Sequence, residues 1–599
     1  MKVPLHALPG PALSLTRPAA LVREDRLVDS LRLGVEDGAH QGAKLGRLAG
    51  ASALSLALPL GLAVLGAQLG AAAVVGVALS PVGLIGGLVA ASLAERHVGV
   101  GRRAGAALGA VLGLGLGLAR HLRGKQDAGP VELPFRPASG APPSEGLAPR
   151  LLHSAQRRFL GQVPERNQRV EVAENVCANA TTMLVGGLWL PQLAASLLPM
   201  PFSLVFATVA GPALGVVAAG VLENALGLGR VTGELLGHAA NKLLPPPGPA
   251  KEPPPHRPPS ALKKAFFALN QVIAEPILTT MIDATRVTNR LFAQEPSLCV
   301  AFQPRPEPRI DDQRLLDNFV KLAGINGVSG QEQEVGRELK RQLEELGISS
   351  LEKPDGTLIA TVPGTVSDAP TLILSAHQDT VAPTSAQAIR ITDRKVQTDG
   401  SHILGADNRA GLAQILEAVR VVLETGQERP EIKLVFTVSE ETGLTGAGRL
   451  APQDLSLRPA LGVVVDSTDV RDLNLTNDAV LVNPTRSLRY QFSQEDPVVQ
   501  LAMVSMARGG TRPRPLRVPI MTGAGTDANT LAFNSGNIRS IAIGCGQRDI
   551  HTPHENILRS DLSAVARTLV GCITNCTDFR VDGGAIVPRL SSGSGRPET

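Results

Sequence analysis

From Arg309 onward, apolar positions come in two alternating patterns. The stretch LLDNFVKLAGINGVSGQEQEVGRELKRQLEELGI repeats its apolar residues at helical spacing, which predicts two amphipathic helices broken at GVSGQE. TLIATV, TLILSAH, IKLVFTVS and ALGVVVD are short, continuously apolar and rich in β-branched residues. Runs of that kind, separated by helices, predict strands buried on both faces of a sheet. The expectation is an α/β domain with a mixed central sheet flanked by helices. AIRITDRKVQTDGSHILG reads as a hairpin, and DNRAGLAQILEAVRVVLE as a helix opened and capped by Asp407.

The N-terminal half follows another pattern. Residues 48–94 and 175–222 carry no charged side chain. A bilayer-spanning helix needs about 20 apolar residues, so each run is long enough for a hairpin of two helices. The turns would fall near Gln68–Gly70 and Pro199–Pro201, and the shorter apolar stretch Ala104–Ala119 could be interfacial. The segments starting at Gly87 and Gly215 align without gaps, pairing Glu95 with Glu223, Gly99 with Gly227, Arg102 with Arg230 and Gly109 with Gly237. That predicts an internal duplication. Gly and Ala at every third or fourth position favour close helix approach in lipid. Lys44, Arg47, Arg96, Arg102, Arg103, Arg230, Lys242, Lys263 and Lys264 flank the runs. The expectation is therefore an α-helical transmembrane half, membrane-localised, with its flanks and the following domain facing the cytoplasm. A buried Ala/Gly-rich soluble bundle is the alternative; only Trp189 within a run could serve an aromatic belt.

Composition sets domain limits. Pro-rich LPPPGPAKEPPPHRPPS is an extended spacer. The expected units are two hydrophobic repeats (1–124 and 150–243), linkers (125–149 and 244–260), a helical connector (261–304), the α/β domain (305–580) and a disordered tail (581–599). Net charge is +4 and aromatics make up 3%, which speaks against a nucleic-acid partner. Cys177, Cys299, Cys545, Cys572 and Cys576 form no CxxC pair, as expected of reduced thiols. MKVPLHALPG lacks the apolar core of a signal peptide.

Candidate chemistry lies where the strand runs end. In order come SAHQDTV with His377 and Asp379, ILGADNRAG with Asp407, VFTVSEETG with Glu440 and Glu441, VVVDS with Asp466, and DIHTPHE with His551. Ligands of α/β sheets bind beyond the strand ends. Two imidazoles and several carboxylates at one such edge suit a pair of divalent metal ions.

These motifs, with GTDAN, resemble the dinuclear zinc exopeptidases over about residues 310–575, closest to the peptidase T-like enzymes and the glutamyl aminopeptidase group. The resemblance implies that His377 and Asp466 hold one metal, Glu441 and His551 the other, and that Asp407 bridges them. It makes Glu440 the general base and gives Asp379 the task of fixing the His377 tautomer. Oxygen and imidazole ligands imply Zn, with Co or Mn as alternatives. Asp469 and His554 compete for ligand positions. Asp466 directly ends VVVD, and the H-[ST]-x-x-E pattern is met only with His551 as the ligand. His402 reads as a surface residue. Gly525, Thr526 and Asp527 could contact substrate or simply form a turn.

The intervals between His377 and Asp407, and between Asp466 and His551, leave no room for an inserted or lid domain. The implied function is a membrane-associated aminopeptidase on short peptides. The alternatives are an amidohydrolase of N-acyl amino acids and a silent membrane protein with a hydrolase-like binding domain.

Overall fold

The computed structural model describes residues 294–305, 309–467, 469–478, 489–516, 525–534 and 538–589, with position 177 and scattered positions within 103–110, 131–136 and 232–239. Apart from such scattered positions, the two uncharged runs and the duplicated segments lie outside the described residues.

The chain first forms α1 (Asp312–Gly324) and α2 (Gln333–Glu345), broken where GVSGQE predicts it. Asp311 caps α1, its carboxylate accepting the Gln313 and Arg314 N–H groups. Then follow β1 (Ser350–Glu352), β2 (Leu358–Val362), β3 (Thr371–His377), the hairpin β4 (Ile389–Ile391) and β5 (Lys395–Thr398), α3 (Ala406–Thr425) and β6 (Ile432–Thr437). Next come α4 (Pro452–Leu455), β7 (Ala460–Ser467), β8 (Asp472–Asn474), β9 (Thr476–Asp478), β10 (Arg489–Gln491), α5 (Pro497–Arg508) and β11 (Arg514–Leu516). The chain continues with α6 (Asp527–Asn534), β12 (Ile538–Gly544), β13 (Gln547–Arg548), β14 (Asn556–Leu558), α7 (Arg559–Asn575), β15 (Phe579–Asp582) and β16 (Ala585–Pro588).

The main sheet has the order β1-β2-β6-β3-β7-β12-β8-β11. Its centre, β6-β3-β7-β12, is parallel, while β1, β2 and β8 make antiparallel pairings at the flanks. Every residue of β3 is buried, as expected of a strand covered on both faces. α3 packs on β3, α1 and α7, and α5 packs on α7. Burying each large aliphatic side chain of this core stabilises the fold by about 1.5–3 kcal/mol. Because the central strands are parallel, β3, β6 and β7 all deliver their C-terminal ends to one edge.

Two stretches add to the domain at its margins. Residues 294–305, at the end of the expected helical connector, run without helix along the domain. Gln500 Oε1 accepts the Cys299 N–H at 2.7 Å, Arg305 pairs with Asp578 at 2.6 Å, and Leu298 bridges to Phe135. At the other end, β15 and β16 form a hairpin across Gly583 and Gly584, both at positive φ. That glycine turn carries ordered structure past residue 581, where a disordered tail was expected to begin. Cys299, Cys545, Cys572 and Cys576 form no disulfide.

The expected transmembrane N-terminal half is overturned. Among the described residues no helix is long and apolar enough to cross a membrane. The longest of them, α3, carries Asp407, Arg409, Glu417, Arg420 and Glu424. Lack of charge in a Gly- and Ala-rich run does not by itself supply the apolar area a bilayer core demands. The membrane localisation, the cytoplasm-facing topology and the membrane partner rested on the same runs and are withdrawn with it.

Candidate metal centre

His377 is the last residue of β3, and its register partner in β6 is Thr437. Two residues beyond Thr437, Ser439 adopts φ 54, a left-handed conformation that ends the strand direction. The turn sends Glu440 and Glu441 toward the same edge. Asp466 stands near the end of β7. Asp407 enters from the start of α3, after Gly405 at φ 70; a Cβ at Gly405 would sit 2.8 Å from Thr384 Cγ2. Asp407 has φ −85 and ψ 101 and makes no capping bond, so the expected helix-cap role is not what the structure contains. His551 follows β13 in a left-handed conformation with φ 62.

These segments bring the donors together. His377 Nε2 is 3.2 Å from Asp407 Oδ1 and 3.5 Å from Asp466 Oδ1. His551 Nε2 is 3.2 Å from Asp407 Oδ2 and 3.1 Å from Glu441 Oε1. Among the described residues, three groups offer ligand atoms that all lie within 4.8 Å of one another: His377–Asp407–Asp466, Asp407–Glu441–His551 and His377–Glu440–Glu441. The first two share Asp407. Behind His377, the Asp379 carboxylate lies 3.3 Å from Nδ1 and the Asp379 carbonyl 3.1 Å.

The electrostatics fit a cation site. Burial and neighbouring carboxylates push Asp466 up to about 6 and Glu441 up to about 7, and burial with the Asp466 charge pushes Glu440 well above its usual range. Burial also opposes charge on Asp407, but hydrogen bonds from His377 and His551 outweigh it and hold that carboxyl low. Burial opposes a charged His377 too, yet Asp379, Asp407 and Asp466 together keep its imidazole well above the ordinary value. So many buried acids repel one another, and divalent cations would relieve that repulsion. Imidazole nitrogen and carboxylate oxygen without thiolate are the donors such ions take. The nearby Cys545 thiol instead faces Gln547 Oε1 at 2.8 Å.

The profile of the M42 glutamyl aminopeptidase family matches residues 385–568. Peptidase T of Salmonella arizonae is 33% identical over 141 residues, 18% of this chain and 35% of that protein. The C-terminal half is thus similar to peptidase T and, over residues 385–568, to the M42 glutamyl aminopeptidases. The uncharacterized protein YqjE of Bacillus subtilis is 36% identical to the domain over 149 residues, 24% of this chain and 40% of that protein. The chain thus spans less than half the length of these two curated relatives. The crystal structure of aminopeptidase PepT from Bacillus cereus is also similar to this chain, with 21% identity and a TM-score of 0.40 over 45% of this chain and 99% of that one.

Within this domain, His377, Asp379, Asp407, Glu440, Glu441, Asp466 and His551 meet at one sheet edge. Asp469 does not join them; it pairs with Arg471 and Arg514, each at 3.0 Å. The His554 backbone N–H donates to Thr552 Oγ1, and His402 lies beside Ser401 in a surface turn. Thr526 caps α6 by accepting the Ala528 N–H. Asp527 is buried, accepts a short hydrogen bond from Thr437, and is pushed by burial up to about 7.

Sequence reasoning missed several supports of the centre. Glu555 is buried and accepts the Gly405 N–H at 2.7 Å and the Asp407 N–H at 2.9 Å. Its signal was present as the closing Glu of the H-[ST]-x-x-E pattern. Asn408 Nδ2 donates to the Val465 carbonyl at 2.7 Å and to Asp466 Oδ1 at 3.3 Å. Ser329 donates to Asp379 Oδ2 at 2.7 Å. Nothing in the local sequence marks Ser329, because its partner lies fifty residues away.

Proposed function

We propose that the C-terminal half is a dinuclear metal-dependent exopeptidase, acting as an aminopeptidase on short peptides. One observation carries the reading: the two oxygens of Asp407 lie 3.2 Å from His377 Nε2 and 3.2 Å from His551 Nε2. A carboxylate set between two imidazoles can give one oxygen to each of two ions. In this reading His377 and Asp466 hold one ion, Glu441 and His551 hold the other, and Asp407 belongs to both. Zn suits the donors, with Co or Mn as alternatives.

Bound divalent ions would supply Lewis acidity for the scissile carbonyl and for the attacking water. Glu440 takes the proton of that water and gives it to the leaving amine. Burial and the neighbouring Asp466 charge raise its affinity for the proton it takes. Asp379 receives the His377 Nδ1–H and so leaves the Nε2 lone pair facing Asp407 and Asp466. Glu555 fixes the backbone that carries Asp407.

The test is a substrate panel for the full-length protein, assayed with Zn or Co, after chelation, and after metal is restored. Free-amino di- and tripeptides and aminoacyl amides should be cleaved from the amino end, with loss on chelation and recovery on restoration. Cleavage confined to N-acyl amino acids would replace the aminopeptidase reading with an amidohydrolase. Absence of any hydrolysis by metal-loaded protein would remove the enzymatic reading altogether.

A further inference from the structure

Glu440 and Glu441 stand on a turn that must be held in a left-handed conformation at Ser439. A non-glycine residue in that region costs on the order of 1–2 kcal/mol, so the turn needs outside support. Two buried carboxylates from other parts of the chain provide it. Asp379 Oδ1 accepts the Glu440 N–H at 3.0 Å, and Oδ2 accepts the Glu441 N–H at 3.2 Å. The preceding residue is held by Glu332, whose Oε1 accepts both the Ser439 N–H at 2.9 Å and the Ser439 hydroxyl at 3.1 Å. The N–H groups of three consecutive residues are thus gripped by two carboxylates.

Glu332 is itself fixed. It precedes α2 without capping that helix, and its Oε1 also accepts the Gly330 N–H at 2.8 Å. The loop carrying it is tied to the strand end beyond His377: Thr380 donates to the Gly327 carbonyl at 3.1 Å, and Ser329 donates back to the Thr380 carbonyl at 3.3 Å. Arg409 is fully buried, and its Nη2 donates to the Gly327 carbonyl at 3.3 Å. Its Nε and Nη1 have no hydrogen-bond partner, and its charge is offset by those of Asp379 and Glu332. A Cβ at Gly327 would lie 2.7 Å from Arg409 Nη2, so that approach needs the glycine.

We propose that Glu332 is a positioning residue of the metal centre: by holding Ser439, it aims Glu440 and Glu441. Arg409, buried beside the loop that carries Glu332, braces that loop through the Gly327 carbonyl. The inference rests on the dinuclear reading above. It assigns Glu332 to orienting the turn through the reach of its carboxyl oxygen; the same charge on a shorter side chain does not serve.

Two conservative variants of the full-length protein separate these roles. Glu332→Asp keeps the charge opposite Arg409 but withdraws the oxygen from Ser439. Glu332→Gln keeps the reach and an acceptor oxygen but removes the charge. Glu332→Asp should lower kcat at least thirtyfold with KM within threefold, and its bound divalent metal should fall from two ions toward one per chain. Glu332→Gln should stay within tenfold in kcat and keep both ions. If Glu332→Asp keeps both ions and a kcat within threefold of wild type, or if Glu332→Gln is the more damaged of the two, the inference is overturned while the function stands. If the wild-type protein holds no metal and cleaves nothing, both the function and this inference fall.

Discussion

His551 Nε2 lies 3.2 Å from one oxygen of the Asp407 carboxylate. The other oxygen faces His377. These three residues come from a strand end, a helix start and a late loop, and Asp407 is where their geometry converges. Glu555 holds the Asp407 backbone only four positions after His551, so one late segment supplies both a donor and the support of the shared carboxylate.

His551 and His554 are therefore separable by substitution. His551→Ala should leave about one divalent ion per chain and lower kcat/KM steeply. His554→Ala should keep both ions. Metal analysis of the two purified variants checks this, and equal metal content in both would remove His551 from the donor set.

Glu440→Gln removes a proton acceptor without removing a ligand. General acid–base groups contribute about 10²–10⁴ in rate, so kcat should fall by about that factor while metal content stays at the wild-type value. Steady-state kinetics paired with elemental analysis tests it. A loss of metal in this variant would make Glu440 a ligand instead.

The stability of metal-free protein should fall as pH rises from 5 to 8. Unfolded carboxyls ionise near pH 4. Burial raises the folded values of Asp466 to about 6, Glu441 and Asp527 to about 7, and Glu555 to about 8. In this window the folded state binds more protons than the unfolded state, so each unit of pH costs stability. His377 is also raised on folding, and its contribution is lost in the same direction. The lowered Asp407 and Asp379 act only at more acidic pH, near and below their unfolded values. Thermal melts after chelation should show Tm falling across the window, and added metal should raise Tm more at pH 8 than at pH 5. A chelated protein with Tm rising from pH 5 to 8 would contradict this.

Four strands of the sheet were legible because β2, β3, β6 and β7 are continuous apolar runs; β12, whose run is interrupted by Arg539 and Ser540, was not. His377 and Asp466 were legible because each ends or nearly ends such a run. Asp407 was found, but its non-helical backbone was not, since a carboxylate opening a helix also reads as a cap. Glu332 was hidden for a similar reason: at the start of the amphipathic α2 it looks like a solvated acid. Only the fold reveals that Ser439, more than a hundred residues on, donates to it. In the N-terminal half the pattern is less informative, because absence of charge in Gly- and Ala-rich runs does not by itself distinguish a bilayer span.

The most direct test is the number of divalent ions per chain in the full-length wild-type protein, titrated against aminopeptidase rate as metal is stripped and restored. The account predicts two ions per chain, with the rate lost and regained as they leave and return. A protein that binds none, or whose hydrolysis is indifferent to their removal, would contradict it.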